Sequence, residues 1–340
     1  MHDLSPVCCA SAAEKYSKLT SAPVKAYHGS TDDIADDPNV DLVVVAVKVP
    51  DHKAAVMPAI EKGKDVFVEC PLGMTLQETM EIAEAAQRKG VRSIVGLQSW
   101  QSPLVRKVKE WISAGKIGKV LSCTWVGSKT AEVAYWAPYH KDRAVYAAYP
   151  ENGTTVLQVT IGHTLSALIS ALGPLSSISS ACVQRFDTIE FVTPDMTPTG
   201  NIIKSTVPDQ YAFCGVFKDS GAVLSAICRG GVPVTGESGR GRPSLVWLID
   251  GDKGCIRAES SHVTGSFLHV TTPEKIFLNG EEMNVDDGED KLDNMGREWL
   301  EFAKGAEGYY PTFDDAVLVY KHIDAIARSA REGRRIDLDI

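Results

Sequence analysis

Residues 41–47 (DLVVVAV) form a near-continuous β-branched run, the pattern of a parallel strand buried on both faces. A helical stretch over 52–62 follows and stops at Gly63, a residue suited to the left-handed turn that ends a helix. Residues 65–69 (DVFVE) predict a second strand. Over 75–89, Leu76, Met80, Ala83 and Ala86 recur at helical spacing, with Gly90 beyond them. Residues 91–97 predict a third strand, and 103–114 a further helix closed by Gly115. Strand and helix alternating in this way predict a doubly wound parallel sheet with right-handed crossovers.

The texture changes near residues 116–118. A strand over 120–126 leads into a polar and aromatic stretch, 129–150, and then a helix near 162–172. Alternating runs at 178–186, 211–217, 222–228, 244–250 and 254–258 have Gly and Asp turns between them. They predict a large, open, mostly antiparallel sheet. Helical patterns over 290–306 and 312–332 close the chain. The fold class expected is therefore α/β: a truncated Rossmann-like parallel domain over 1–117 and an α+β substrate and oligomerisation domain over 118–340. The last helices can pack back on the first domain.

A length of 340 residues fits two domains. The formal net charge of −9 disfavours a grip on nucleic acid or anionic lipid. The start, Met1-His2-Asp3-Leu4-Ser5-Pro6, lacks the basic and apolar regions of a signal peptide, and no apolar run is expected to reach the ~18–20 residues of a membrane span. Eight cysteines lie scattered without a Cys-x-x-Cys pair, so no metal site is expected. Reduced, mostly buried thiols in a cytoplasmic protein are the expectation.

Ordered motifs resemble the Gfo/Idh/MocA oxidoreductases from Cys8 onward. Val43 to Val47 with His52 is similar to the strand and helix start that flank the cofactor's adenosine in that family. Glu69-Cys70-Pro71 stands where the family has Glu-Lys-Pro. Val95-Gly96 with Pro103, Gly153-Thr154-Thr155 with Gly162-His163, and Arg297-Glu298-Trp299 resemble further family segments. Leu97-Gln98, Val207-Pro208-Asp209 and Gly251 to Gly254 resemble the branch that contains a yeast galactose-regulon repressor. If NAD(P) binds, the resemblance implies Ala46, Val47, His52 and Glu69 around it. It also implies a homodimer through the C-terminal sheet.

The family opens with a strand, a Gly-x-Gly-x-x-Gly turn and a helix that cradles a diphosphate. In this sequence residues 4–10 (LSPVCCA) predict a strand and 12–19 a helix, and no glycine precedes Gly29. The expectation is that the sheet lacks a central strand, that 4–10 moves over to fill the gap, and that no nicotinamide cofactor is held, NAD(P) being the alternative. The family's lysine is Cys70 here, and its two aspartates are Val159 and Ser166.

His163 is the first chemical candidate, an imidazole expected to titrate near neutrality. Glu69 is a candidate base at the end of its strand, or a hydrogen-bond partner of backbone near Pro71. Cys70 is a candidate nucleophile or weak acid if its pKa is lowered, and otherwise a small buried residue. Tyr135, Trp136, Tyr139 and Tyr146, with Gln98 and Trp100 from the first domain, are expected to wall a pocket for a partly apolar or conjugated small molecule. Arg229 is a candidate for holding an anionic group, or lies on a solvated face. Three readings stand: a redox-neutral acid–base enzyme (isomerisation, dehydration or cyclisation), an NAD(P)-dependent oxidoreductase acting on a carbonyl or carbinol with its first segment missing from this sequence, and a non-catalytic regulator resembling the galactose-regulon repressor.

Overall fold

The computed structural model describes residues 6–141, 146–285 and 291–340. Helices α1 (Pro6–Thr20) and α2 (Asp32–Asp36) precede β1 (Leu42–Val45), α3 (His52–Glu61), β2 (Asp65–Val68), α4 (Leu76–Lys89), β3 (Ser93–Val95) and α5 (Pro103–Ser113). There follow β4 (Val120–Thr130), β5 (Tyr139–Lys141), α6 (Gly162–Leu172), β6 (Leu175–Val183), β7 (Thr188–Val192), β8 (Pro198–Lys204), β9 (Gln210–Phe217) and β10 (Val223–Val232). The chain continues through α7 (Gly236–Gly239), β11 (Leu245–Gly251), β12 (Cys255–Ser260), β13 (Lys275–Leu278), β14 (Glu281–Glu282), α8 (Asn294–Ala303), α9 (Phe313–Glu332) and β15 (Ile336–Asp337).

Strands β1, β2 and β3 form a parallel sheet in that order. Its crossover helix α4 begins where Thr75 accepts a hydrogen bond from the Glu78 amide, and ends at Gly90, whose φ of 67° needs no Cβ. A second sheet runs β14-β13-β12-β11-β4-β10-β9-β6-β15, antiparallel except where β4 and β10 pair. This matches the expected class. A small third sheet, β5-β7-β8, was not legible, because β8 is almost wholly exposed and so carries no alternation. Helix α9 lies back on the first sheet: the Val95 amide donates to the Pro311 carbonyl at 3.1 Å and the Phe313 amide to Ser93 Oγ at 3.2 Å. One apolar core runs from Val43 to Ile336.

Several expectations are corrected. Residues 6–10 are not the strand expected to fill the sheet but belong to α1, and residues 1–5 lie outside the described residues. Proline suits a first helical turn, alanines favour the helix, and Glu14 pairs with Lys18 four residues on at 2.7 Å. No residue of α1 is buried. Strand β1 is not covered on both faces either: it is the rim of its sheet, with Val44 52% exposed. Water therefore reaches this rim, and the cost of dry, unpaired peptide groups does not arise. Two of the eight cysteines, Cys123 and Cys228, are buried, and Cys8 and Cys214 are exposed. The run Pro150–Leu172 is long and apolar enough for a span by length and composition. It serves as the core helix of this fold, with all but one residue of α6 buried.

Candidate functional site

The chain leaves β2 at Val68 and passes through Glu69, Cys70 and a cis peptide to Pro71. The Glu69 amide donates to the Val45 carbonyl at 3.0 Å and the Gly96 amide to the Val68 carbonyl at 2.9 Å, which fixes this corner to both neighbouring strands. Gly96 leaves room for the Glu69 carboxylate: a Cβ there would stand 2.5 Å from Oε2 and push that side chain aside. Burial pushes the Glu69 carboxyl above its ordinary value. Behind it, α8 places Glu298 at 0% exposure with no hydrogen bond to either carboxyl oxygen. Burial first, and then the charge of Glu69, hold Glu298 well above the carboxylate range. Cys70 shares this environment: burial, Glu69 and Glu298 push its thiol upward. It therefore stays protonated, and the condition set for a nucleophilic Cys70 is not met.

Glu69 opens onto a cavity of about 710 Å³, lined also by Gln98, His269, Thr271, Asn294 and Arg297. His163, on α6, does not line this cavity but stacks behind the lining residue His269, ring centroids 3.9 Å apart and planes 13° from parallel. The expectation that His163 titrates near neutrality is corrected: burial and the neighbouring His269 hold it well below 6.5. Burial pushes His269 down to about 4. Both imidazoles are neutral at physiological pH, and the Nδ1 atom of each lacks a hydrogen-bond partner, as does Gln98 Oε1. The cavity region thus gathers polar atoms whose hydrogen bonds are unmade, which is costly unless a ligand or water makes them.

The aromatic residues gather elsewhere. Tyr135 meets Trp136 edge-on at 4.6 Å and stacks on His140 at 5.3 Å. Its hydroxyl lies 3.3 Å from that of Tyr146, and Trp136 donates to the Thr154 carbonyl at 2.7 Å. Tyr139 lies on β5 beside them. Trp100 stacks on Tyr309 at 4.9 Å. Of the expected pocket wall, the Glu69 cavity takes Gln98. Asp142 and Arg143 of the same stretch lie outside the described residues. Arg229 donates to Ser128 Oγ at 3.1 Å and to the Pro243 carbonyl at 2.8 Å.

Sequence reasoning left His269, Asn294 and Glu298 without a role. Helix α8 explains the last two: its buried residues are Asn294, Arg297, Glu298, Glu301 and Phe302. The stripe has helical spacing but mostly polar chemistry, so apolar periodicity cannot find it. His269 comes from the connection after β12, where no pattern marks it.

A dinucleotide's diphosphate does not fit the described residues at the ends of β1 to β3. Helix α3 opens on a turn, Val49–Asp51, that contains a proline and an acid. Before and within the first turn of α4 the Met74 amide is taken by Glu78 Oε2 at 2.8 Å and the Glu78 amide by Thr75 at 3.2 Å. His52 is also occupied, its ring nitrogens 3.0 Å from the Pro71 and Val47 carbonyls. Ala46 and Val47 lie exposed at the end of β1.

A cavity at the carboxyl ends of a parallel sheet, backed by a broad mixed sheet, defines an α/β scaffold of the oxidoreductase type. Comparison with known proteins agrees. Residues 6–97 match the model of the oxidoreductase family with an NAD-binding Rossmann fold, and residues 103–260 match that of the Gal80p C-terminal domain. The dehydrogenase aclE of Aspergillus oryzae is 29% identical over 318 residues, covering 91% of this chain and 81% of that protein. The galactose/lactose metabolism regulatory protein GAL80 of Saccharomyces cerevisiae is 27% identical over 301 residues, 84% of this chain but 65% of that one. A crystal structure of a super-repressor mutant of S. cerevisiae Gal80p superposes with a TM-score of 0.81 at 22% identity, covering 98% of this chain and 88% of that one. Residues 6–97 thus match the Gfo/Idh/MocA oxidoreductases, and the chain as a whole resembles the branch of that family that includes Gal80.

Proposed function

We propose that the Glu69 cavity takes a neutral, polar small molecule with a carbonyl or hydroxyl group. On this reading it converts that molecule without net redox change, by isomerisation, dehydration or cyclisation. The observation that carries the reading is the carboxyl pair: Glu69 faces the cavity, and Glu298 stands behind it, sealed and without a hydrogen bond. Burial raises both toward the range where a carboxyl exchanges protons readily at neutral pH. Glu69 is the group that takes and returns the proton. Glu298 acts through it as a positioning residue: held protonated, it adds no second negative charge and leaves Glu69 able to ionise. The neutral imidazole of His269 hydrogen-bonds the ligand oxygen without carrying charge, and Gln98 accepts from a hydroxyl.

Deuterium uptake from heavy water tests this on cyclic hydroxyketones, read by NMR at the carbon beside the carbonyl. The intact chain is expected to exchange that position, and Glu69→Gln to slow it at least about 100-fold. A panel in which no ketone exchanges faster with protein than without it would end the acid–base reading.

The family's NAD-binding members and the dehydrogenase relative support a second reading, an NAD(P)-dependent oxidoreductase acting on a carbonyl or carbinol. Such a protein would oxidise or reduce the same ligand in the same cavity.

A further inference from the structure

Strand β4 turns Trp125, Gly127 and Lys129 to one face, as the two-residue period of a strand requires. Together with Thr160, Thr164 and Arg229 they enclose a hollow of about 10 Å³, room for a single water-sized particle. Lys129 is 2% exposed, and its ammonium reaches the Trp136 carbonyl at a long 3.4 Å. No carboxylate pairs with it among the described residues. The nearest acid, Glu132, has its Oε1 taken up by the Val234 and Thr235 amides at 2.9 Å each and by the Thr235 hydroxyl. Trp125 Nε1 is buried without a partner. Gly127 leaves space over it: a Cβ there would stand 2.6 Å away. Arg229 also lines the hollow, but its guanidinium lies on the Ser128 face of the sheet, bonded to Ser128 Oγ and the Pro243 carbonyl, and no acid lines the hollow.

A buried ammonium without a counter-charge costs several kcal/mol, and an unmade indole N–H adds to that cost. Both costs fall if one particle of negative charge, no bigger than the hollow allows, sits among these donors. Phosphate and carboxylates are too large. We propose that the hollow is a binding site for one halide-sized anion, chloride, held by the Lys129 ammonium and the Trp125 indole. The occupant would also brace α6, since Thr164 from this hollow directly follows His163, which stacks on His269 of the cavity.

Chloride and a proton then bind together. Burial and the charge of Lys141 lower Lys129 to about 7, with Glu132 pulling the other way and Arg242 bearing on Arg229. Thermal unfolding of the whole chain in sodium chloride against sodium gluconate, at equal ionic strength, tests the site. At pH 6 the Tm is expected to rise and saturate with chloride alone. The apparent affinity is expected to weaken about tenfold per pH unit above the titration of Lys129. Lys129→Met is expected to lose the chloride response. Equal Tm in the two salts, or an equal response in the variant, overturns the proposal. Should that variant not fold, crystals of the unaltered chain soaked in bromide decide: an anomalous peak in the hollow supports the site, and its absence there overturns it.

Discussion

A carboxyl group sealed from water, with neither oxygen hydrogen-bonded, lowers its energy by keeping its proton. That is the position of Glu298. Its folded pKa lies above the ordinary 4.5, so the native chain holds a proton that the unfolded chain releases. The stability this form carries is full below about pH 4.5 and is lost as the pH climbs through the raised value. His163 and His269 run the opposite way. Their folded values lie below 6.5, so the unfolded chain takes up protons first and stability falls as the pH drops below about 6.5. The midpoint of urea unfolding is therefore expected to decline on both sides of a maximum. Glu298→Gln is expected to remove the alkaline decline and leave the acid one, raising the urea midpoint at pH 8. An unchanged alkaline limb would mean that Glu298 is not held protonated. None of this was legible from residue types alone. His163 and Glu69 stood out by position, but their pKa shifts come first from burial, and for His163 also from His269, which arrives from a distant part of the chain.

At the scale of elements, helices α1 and α9 differ in what they touch. Helix α1 buries nothing and leaves Val7 75% and Leu19 69% exposed. Helix α9 buries Phe313, Val319, Ile323 and Ile326, and starts on a reciprocal cap between Thr312 and Asp315, with bonds of 2.7 and 2.8 Å. Chemical unfolding should separate them. Leu19→Ser is expected to change stability by less than about 0.5 kcal/mol, and Thr312→Ala to cost about 1 kcal/mol. A large loss from Leu19→Ser would mean that α1 packs on something. Strands β1 and β2 and helices α4 and α9 were legible because apolar spacing, caps and stop residues agree there. Residues 4–10 misled because a short run of Leu, Val and Cys fits a strand or a helix equally well, and Pro6 with the alanines decided for the helix.

Across the whole molecule, alternating strands and helices followed by alternating strands announce the two sheets, and order along the chain announces the family. The rim position of β1 could not be read that way, since a run such as LVVV has the same appearance in the middle of a sheet and at its edge. The cavity was half legible: Glu69 and Gln98 close it from the first sheet, while the aromatic stretch expected to face them packs around Thr154 and His140. The described residues offer a pocket at Glu69 whose neighbouring helix starts carry a proline, an acid or a side-chain cap. The central proposal is that this pocket exchanges protons and works without a dinucleotide. Fluorescence titration of the purified 340-residue chain with NADH and NADPH tests it most directly. The account predicts no saturable change in nucleotide or tryptophan emission up to millimolar concentration, and saturable binding in the micromolar range would contradict it.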